Sequence, residues 1–248
     1  MKDQLAWRKT FGVLGPSTNT IVQPDFDRLK VPGITNHYSR IIVEDANAIS
    51  DETFMAGTLE ISQNTHDAVR GVMTCNPDHL VMGMSAVTFY GGAEGGAKWK
   101  ANVEDVAGVA LTMGSESLVA AIKAYGSIKK VAFLSPYFPI ANQQVSQYLS
   151  DHGIETARDY CFRCPSWTAI SQISERELVD VLKQLDGDDV DALLQVGTNL
   201  SMVSVAAAAE LWLDKPVIAI NTATYWNALR TNGIKDKVYG SGKLLEEF

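Results

Sequence analysis

Hydroxyl and amide side chains gather at four places where an apolar run gives way to a turn, and none of the four carries a cysteine, histidine or acid. Gly15-Pro16-Ser17-Thr18-Asn19-Thr20 follows the run FGVLG and precedes a helix expected from Val22 or Pro24. Small neutral side chains beside the free backbone N–H groups of a helix start suit a carboxylate. Capping of that helix by Thr18 or Asn19 explains the same residues equally well. Met82-Gly83-Met84-Ser85 ends a second run, and Gly83 lets another group come close to the backbone. Gln195-Val196-Gly197-Thr198-Asn199 repeats this arrangement, and Ser135-Pro136-Tyr137 adds a fourth turn. If the turns converge, Ser17, Thr18, Asn19, Ser85, Tyr137, Thr198 and Asn199 make a ring of neutral donors, better suited to an anion than to a cation.

Other motifs are weaker. Gly91-Gly92-Ala93-Glu94-Gly95-Gly96-Ala97-Lys98 has the look of a phosphate loop, but its lysine is displaced by one position and no Ser/Thr follows. It reads as a flexible loop, a lid whose glycines permit motion over a cleft. His37, His66, His79 and His152 show no metal-ligand spacing, so no metal is expected. Cys75, Cys161 and Cys164 are too few for a disulfide framework. Cys161-Phe162-Arg163-Cys164 lacks the second pair that zinc requires, and reads as two partly buried thiols near a strand end. Met82, Met84, Tyr225 and Trp226 could wall a pocket or simply fill the core.

Residues so spaced must be held by strand tips. Strand-like runs occur at 11–15, 38–43, 79–84, 131–135, 192–197 and 216–220, with helical spacing between them over Glu52 to Val72, Glu116 to Tyr125 and Glu175 to Leu185. This alternation predicts α/β layers around parallel sheets. The halves also echo one another. Leu14-Gly15-Pro16-Ser17 matches Leu134-Ser135-Pro136-Tyr137, Ile49-Ser50-Asp51-Glu52 matches Ile173-Ser174-Glu175, and Asp78 to Gly83 matches Asp191 to Val196. Ser50 and Ser174 both stand where an N-cap is wanted, the second in a full S-x-x-E capping box. The economical architecture is two pseudo-symmetric Rossmann-like or flavodoxin-like lobes, residues 1–112 plus 221–248 and residues 113–220, with an active site in the cleft between their strand tips. The chain is expected to cross near Val109 to Ser115 and to return near Asn221.

The chain has 248 residues, 46% of them apolar and 20% charged, which is a globular mixture sufficient for one or two domains. A net charge of −8 repels polyanions, so no nucleic-acid partner is expected. No run of about 18 apolar residues and no leader pattern is visible, which predicts a cytoplasmic protein without a membrane partner. A homo-oligomer is left open.

Taken together, Gly15 to Thr20, Met82-Gly83-Met84-Ser85 with Phe89-Tyr90, Ser135-Pro136-Tyr137 with Asn142, Leu193 to Gly197 and Tyr225-Trp226 resemble the Asp/Glu racemase superfamily, in particular its arylmalonate decarboxylase and maleate isomerase branch. The resemblance covers nearly the whole chain and implies two facing lobes. In that family cysteines at equivalent strand ends move protons or attack substrate, and the matching positions here are Gly83 and Val196, neither a thiol. Glycine at the first position agrees with the decarboxylase-like members. Two-base racemisation and thiol attack on an alkene both lose their agent. What the resemblance leaves is a cofactor-independent lyase, decarboxylase-like, acting on a small carboxylate. Tyr137, Ser85 and Thr198 would be the working groups, and Ser17, Thr18, Asn19, Gly83, Met84, Val196, Gly197 and Asn199 would hold the substrate. The alternatives are a hydrolase or hydratase using a water in the space of the missing thiols, a maleate isomerase-like enzyme, and a carboxylate-binding protein without catalysis.

Overall fold

The computed structural model describes residues 3–45 and 50–248, so Ile49 of the internal echo lies outside the described residues. Strands β1 (Lys9–Pro16), β2 (Ile34–Ile41), β3 (His79–Met82) and β4 (Leu111–Thr112) form one sheet in the order β2-β1-β3-β4. Strands β5 (Lys130–Ser135), β6 (Glu155–Cys161), β7 (Ala192–Gln195) and β8 (Val217–Ala219) form a second in the order β6-β5-β7-β8. Every pairing is parallel. The central strands are buried along nearly their whole length, as continuous apolar runs in parallel sheets should be.

Matching hydrogen bonds support the internal echo. Gly83 N–H donates to the Leu14 carbonyl at 2.6 Å, and Val196 N–H donates to the Leu134 carbonyl at 3.0 Å. At the opposite strand ends, Asp78 accepts from the Thr10 N–H and Asp191 from the N–H groups of Lys129 and Lys130. Gly83 and Val196 are therefore equivalent positions, one beyond the third and the seventh strand.

Helix α1 (Val22–Leu29) follows β1, and α2 (Asp51–Met73) is capped by Ser50 in reciprocal bonding with Thr53. The expected lid is instead the start of helix α3 (Gly92–Ala107). Its glycines serve close packing: Gly91 takes φ 74°, and a Cβ on Gly96 would lie 2.7 Å from the Thr88 carbonyl oxygen. Helix α4 (Gly114–Tyr125) follows β4, α5 (Pro139–Asp151) follows β5, and α6 (Glu175–Leu185) carries the Ser174–Glu177 capping box. Helix α7 (Val203–Leu213) precedes β8, α8 (Ile220–Thr231) follows it, and α9 (Lys243–Glu247) ends the chain. Helices α4 and α8 pack on each other so closely that a Cβ on Gly114 would lie 2.8 Å from Ile220 Cδ1. Helix α8 also touches α1 and β3, which carries the chain after β8 back against the first sheet.

Candidate active site

The tips of β1, β3, β5 and β7 meet around one pocket with a volume of about 50 Å³. Its wall takes Pro16, Thr18 and Asn19 from the first turn, Met84, Ser85 and Ala86 from the second, Pro136 and Tyr137 from the third, and Gly197, Thr198 and Asn199 from the fourth. Thr58 and Ile61 of α2, with Trp167 and Ile170 from the segment after β6, complete it. Among the described residues, no ionisable acid or base lies in this wall, and its one titratable side chain is the Tyr137 phenol.

At its centre the Ser85 and Tyr137 hydroxyls are 2.7 Å apart across the two sheets, with the residues only 2% and 4% exposed. Burial pushes the Tyr137 phenol well above its ordinary value, and the bond to Ser85 only partly opposes this. The group therefore stays a neutral donor at physiological pH. Its loop is held from behind: Tyr137 N–H donates to Ser135 Oγ at 3.0 Å, the Ser135 hydroxyl donates to Asn142 Oδ1 at 2.5 Å, and Asn142 Nδ2 donates to Asp159 at 2.5 Å. The Phe54 ring packs against that of Tyr137, with centroids 5.4 Å apart.

Other expected donors have different employment. Ser17 is exposed, exchanges hydrogen bonds with the backbone of Val43 and does not line the pocket. The Thr198 hydroxyl donates to the Gly83 carbonyl at 2.9 Å and accepts from Asn19 Nδ2 at 3.0 Å, so it clasps the two sheets together. Asn19 Oδ1 accepts from the N–H groups of Ile21 and Val22, which makes it the cap of α1. Asn199 Oδ1 accepts from Thr20 and Ile21, and its Nδ2 donates to the Trp167 carbonyl. Two amide oxygens thus take up the N–H groups of Thr20, Ile21 and Val22 where the chain enters α1. Gly83 and Val196 lie outside the pocket lining. A Cβ on Gly83 would sit 3.0 Å from the Leu14 carbonyl and 3.1 Å from both Val22 methyls, so that side of the backbone is already filled.

The remaining donors are the Ser85–Tyr137 pair, the Thr18 hydroxyl and backbone amides. Among the described residues, the N–H groups of Ser85 and Ala86, at the start of the 3-10 turn Ala86–Phe89, and those of Thr198 and Asn199 donate to no protein acceptor. The two amide pairs come from equivalent turns of the two sheets. Gly197 holds its turn open at φ 112°, where a Cβ would run into Pro136 Cγ at 2.6 Å.

The thiols stand apart from this chemistry. Cys161 is pushed up to about 12 by burial and by neighbouring Asp159, Cys164 to about 12 by burial, and none of the three cysteines lines the pocket. Among the described residues, no group of three His, Cys, Asp or Glu is placed to hold a metal ion. Tyr225 and Trp226 are core: the first bonds Asn36, the second the Phe248 carbonyl. Thr58, Ile61, Trp167 and Ile170 were not foreseen. Ile61 could have been found from the helical spacing Phe54, Thr58, Ile61, Thr65, whereas Trp167 lies in an irregular stretch with no periodic signal.

A family model described as arylmalonate decarboxylase matches residues 47–245. The maleate isomerase of Geobacillus stearothermophilus is 27% identical over 131 residues, 52% of this chain and 51% of that protein, so the match spans about half its length. The arylmalonate decarboxylase of Bordetella bronchiseptica is 22% identical over 219 residues, 82% of this chain and 90% of that protein. Among solved structures, a Nocardia farcinica maleate cis-trans isomerase cysteine variant with a covalently bound succinylcysteine intermediate superposes with a TM-score of 0.86 at 19% identity, covering 97% of this chain and 99% of that one. A liganded double mutant of arylmalonate decarboxylase gives 0.83 at 19% identity, covering 97% and 100%. These superpositions establish a shared fold.

Proposed function

The chain belongs to the arylmalonate decarboxylase family, and from that premise we propose that it is a cofactor-independent decarboxylase of a small dicarboxylate, working through neutral hydrogen-bond donors and without a cysteine. The observation that carries this reading is the buried Ser85–Tyr137 hydroxyl pair, 2.7 Å apart, facing a pocket with no ionisable acid or base in its wall.

In the proposed reaction one carboxylate lies on the donors: the Ser85 and Tyr137 hydroxyls, Thr18 and the open amides at 85–86 and 198–199. The other faces the apolar wall of Ile61, Met84, Trp167 and Ile170, where an ionised carboxylate is poorly solvated. The carbon–carbon bond to the second carboxylate breaks and carbon dioxide leaves. The electron pair passes into an enediolate on the first carboxylate, whose growing charge the donors meet without reorganising. A proton from the Tyr137 phenol or from a water then closes the new C–H bond, and solvent restores the donor. Each such donor contributes about 3 to 4 kcal/mol to the transition state in comparable sites.

Isomerisation by thiol attack has no thiol in the pocket lining to start from. Hydration is separable from decarboxylation, because it would place labelled solvent oxygen in the product. The test is incubation with substituted malonates, maleate, aspartate and glutamate, followed by proton NMR. The proposal expects loss of a malonate with equimolar monocarboxylate. Silence across the malonates, or conversion of maleate alone, overturns it.

A further inference from the structure

An arylmalonate carries a ring, and the pocket has little room for one. A cavity near 150 Å³ holds a benzene molecule. The present 50 Å³ is a third of that figure. Trp167 and, three residues on in the 3-10 turn Ala169–Gln172, Ile170 both stand in the pocket wall. Trp167 is held through its ring and its backbone. It stacks edge-on against Phe54 with centroids 5.1 Å apart, its carbonyl accepts from Asn199 Nδ2 at 2.9 Å, and the next residue, Thr168, donates its N–H and hydroxyl to Asp45. Phe54 also contacts the Tyr137 ring, so Trp167 and Tyr137 share one packing partner.

Resting on the decarboxylase reading, we propose that the site takes a short dicarboxylate bearing at most one or two further carbons, and that Trp167, with Ile170, sets this limit by filling the space an aryl ring would need. The wall is built into the resting protein, so bulk is refused at binding and not later in the reaction.

The experiment compares wild type, Trp167→Ala and Ile170→Ala on malonate, methylmalonate, ethenylmalonate and phenylmalonate, measuring turnover by NMR and binding by calorimetry. Wild type should prefer the best short malonate over phenylmalonate by tenfold or more in kcat/KM. Trp167→Ala should cut that preference at least tenfold, and Ile170→Ala should move it the same way by less. Equal use of methylmalonate and phenylmalonate by wild type, or an unchanged preference in both variants, overturns the size limit while leaving decarboxylation intact. If none of the four is turned over, decarboxylation fails and calorimetry decides the limit: wild type binding short diacids but not phenylmalonate, with the ring admitted by Trp167→Ala, supports it. Absence of that pattern overturns it.

Discussion

Replacing Tyr137 by Phe removes one oxygen and leaves the ring against Phe54, 5.4 Å away, so packing is conserved while the 2.7 Å bond to Ser85 is lost. Two magnitudes follow, and they differ in kind. The fold loses one buried hydrogen bond and leaves the Ser85 hydroxyl without its partner, a cost of about 1 to 3 kcal/mol. For a domain of this size that lowers Tm by roughly 2 to 4 °C per kcal/mol. The transition state loses an oxyanion donor, a cost of about 3 to 4 kcal/mol, which at 1.4 kcal/mol per tenfold is a fall in kcat of about two to three orders of magnitude. The assay is steady-state turnover of the best malonate beside a thermal melt, with Ser85→Ala and the double variant in parallel. Groups that act as a unit should show far less than additive losses. A kcat within about threefold of wild type, with the melt lowered as expected, would mean that the pair only holds the sheets together and would refute its catalytic role.

Three further outcomes are expected. Thr198→Val should cost about 1 to 3 kcal/mol of stability in urea unfolding, because the Gly83 carbonyl and the Asn19 amide lose their shared partner, yet change kcat little; unchanged stability with a hundredfold drop in kcat would make the hydroxyl a substrate donor after all. Alkylation by iodoacetamide at pH 8 should modify exposed Cys75 first and leave turnover intact, since Cys161 and Cys164 are pushed up to about 12; inactivation in step with loss of one thiol contradicts this. Asp25 of α1, bonded to Asn221 Nδ2 at 2.8 Å, is raised by burial to about 6, whereas an unfolded aspartate releases its proton near pH 4. Stability held by the protonated group is therefore present below pH 4 and lost as pH rises through 6, so Asp25→Asn should gain on wild type by up to about 3 kcal/mol between pH 4 and 7. A stability difference that does not vary with pH would contradict that assignment.

The layers and the site's position were readable from the chain because parallel strands buried on both faces print as apolar runs, and because the turns after Leu14, Met82, Leu134 and Gln195 all carry small polar residues. Strand β6 was not readable: Glu155–Cys161 is an edge strand, half covered, with charged residues through its length. The Gly91–Gly96 segment misled because glycine marks close approach as readily as motion, and here Thr88 and Tyr148 press on it. The division of labour among the hydroxyls was beyond sequence reasoning altogether. Whether Thr198 faces a guest or the Gly83 carbonyl depends on contacts between residues 115 apart in the chain, and Asn199 reaches Thr20 across 179. Composition shows which donors are present, whereas only the packed turns show which are already spent.

The most direct measurement follows the carbon and the proton together. Methylmalonate labelled with carbon-13 in one carboxyl, incubated with the protein in deuterium oxide, should release half its label as carbon dioxide and yield propionate with one deuterium at the carbon beside the remaining carboxylate. Recovery of intact dicarboxylate, even with deuterium exchanged into it, would show that these donors do not drive loss of the carboxylate.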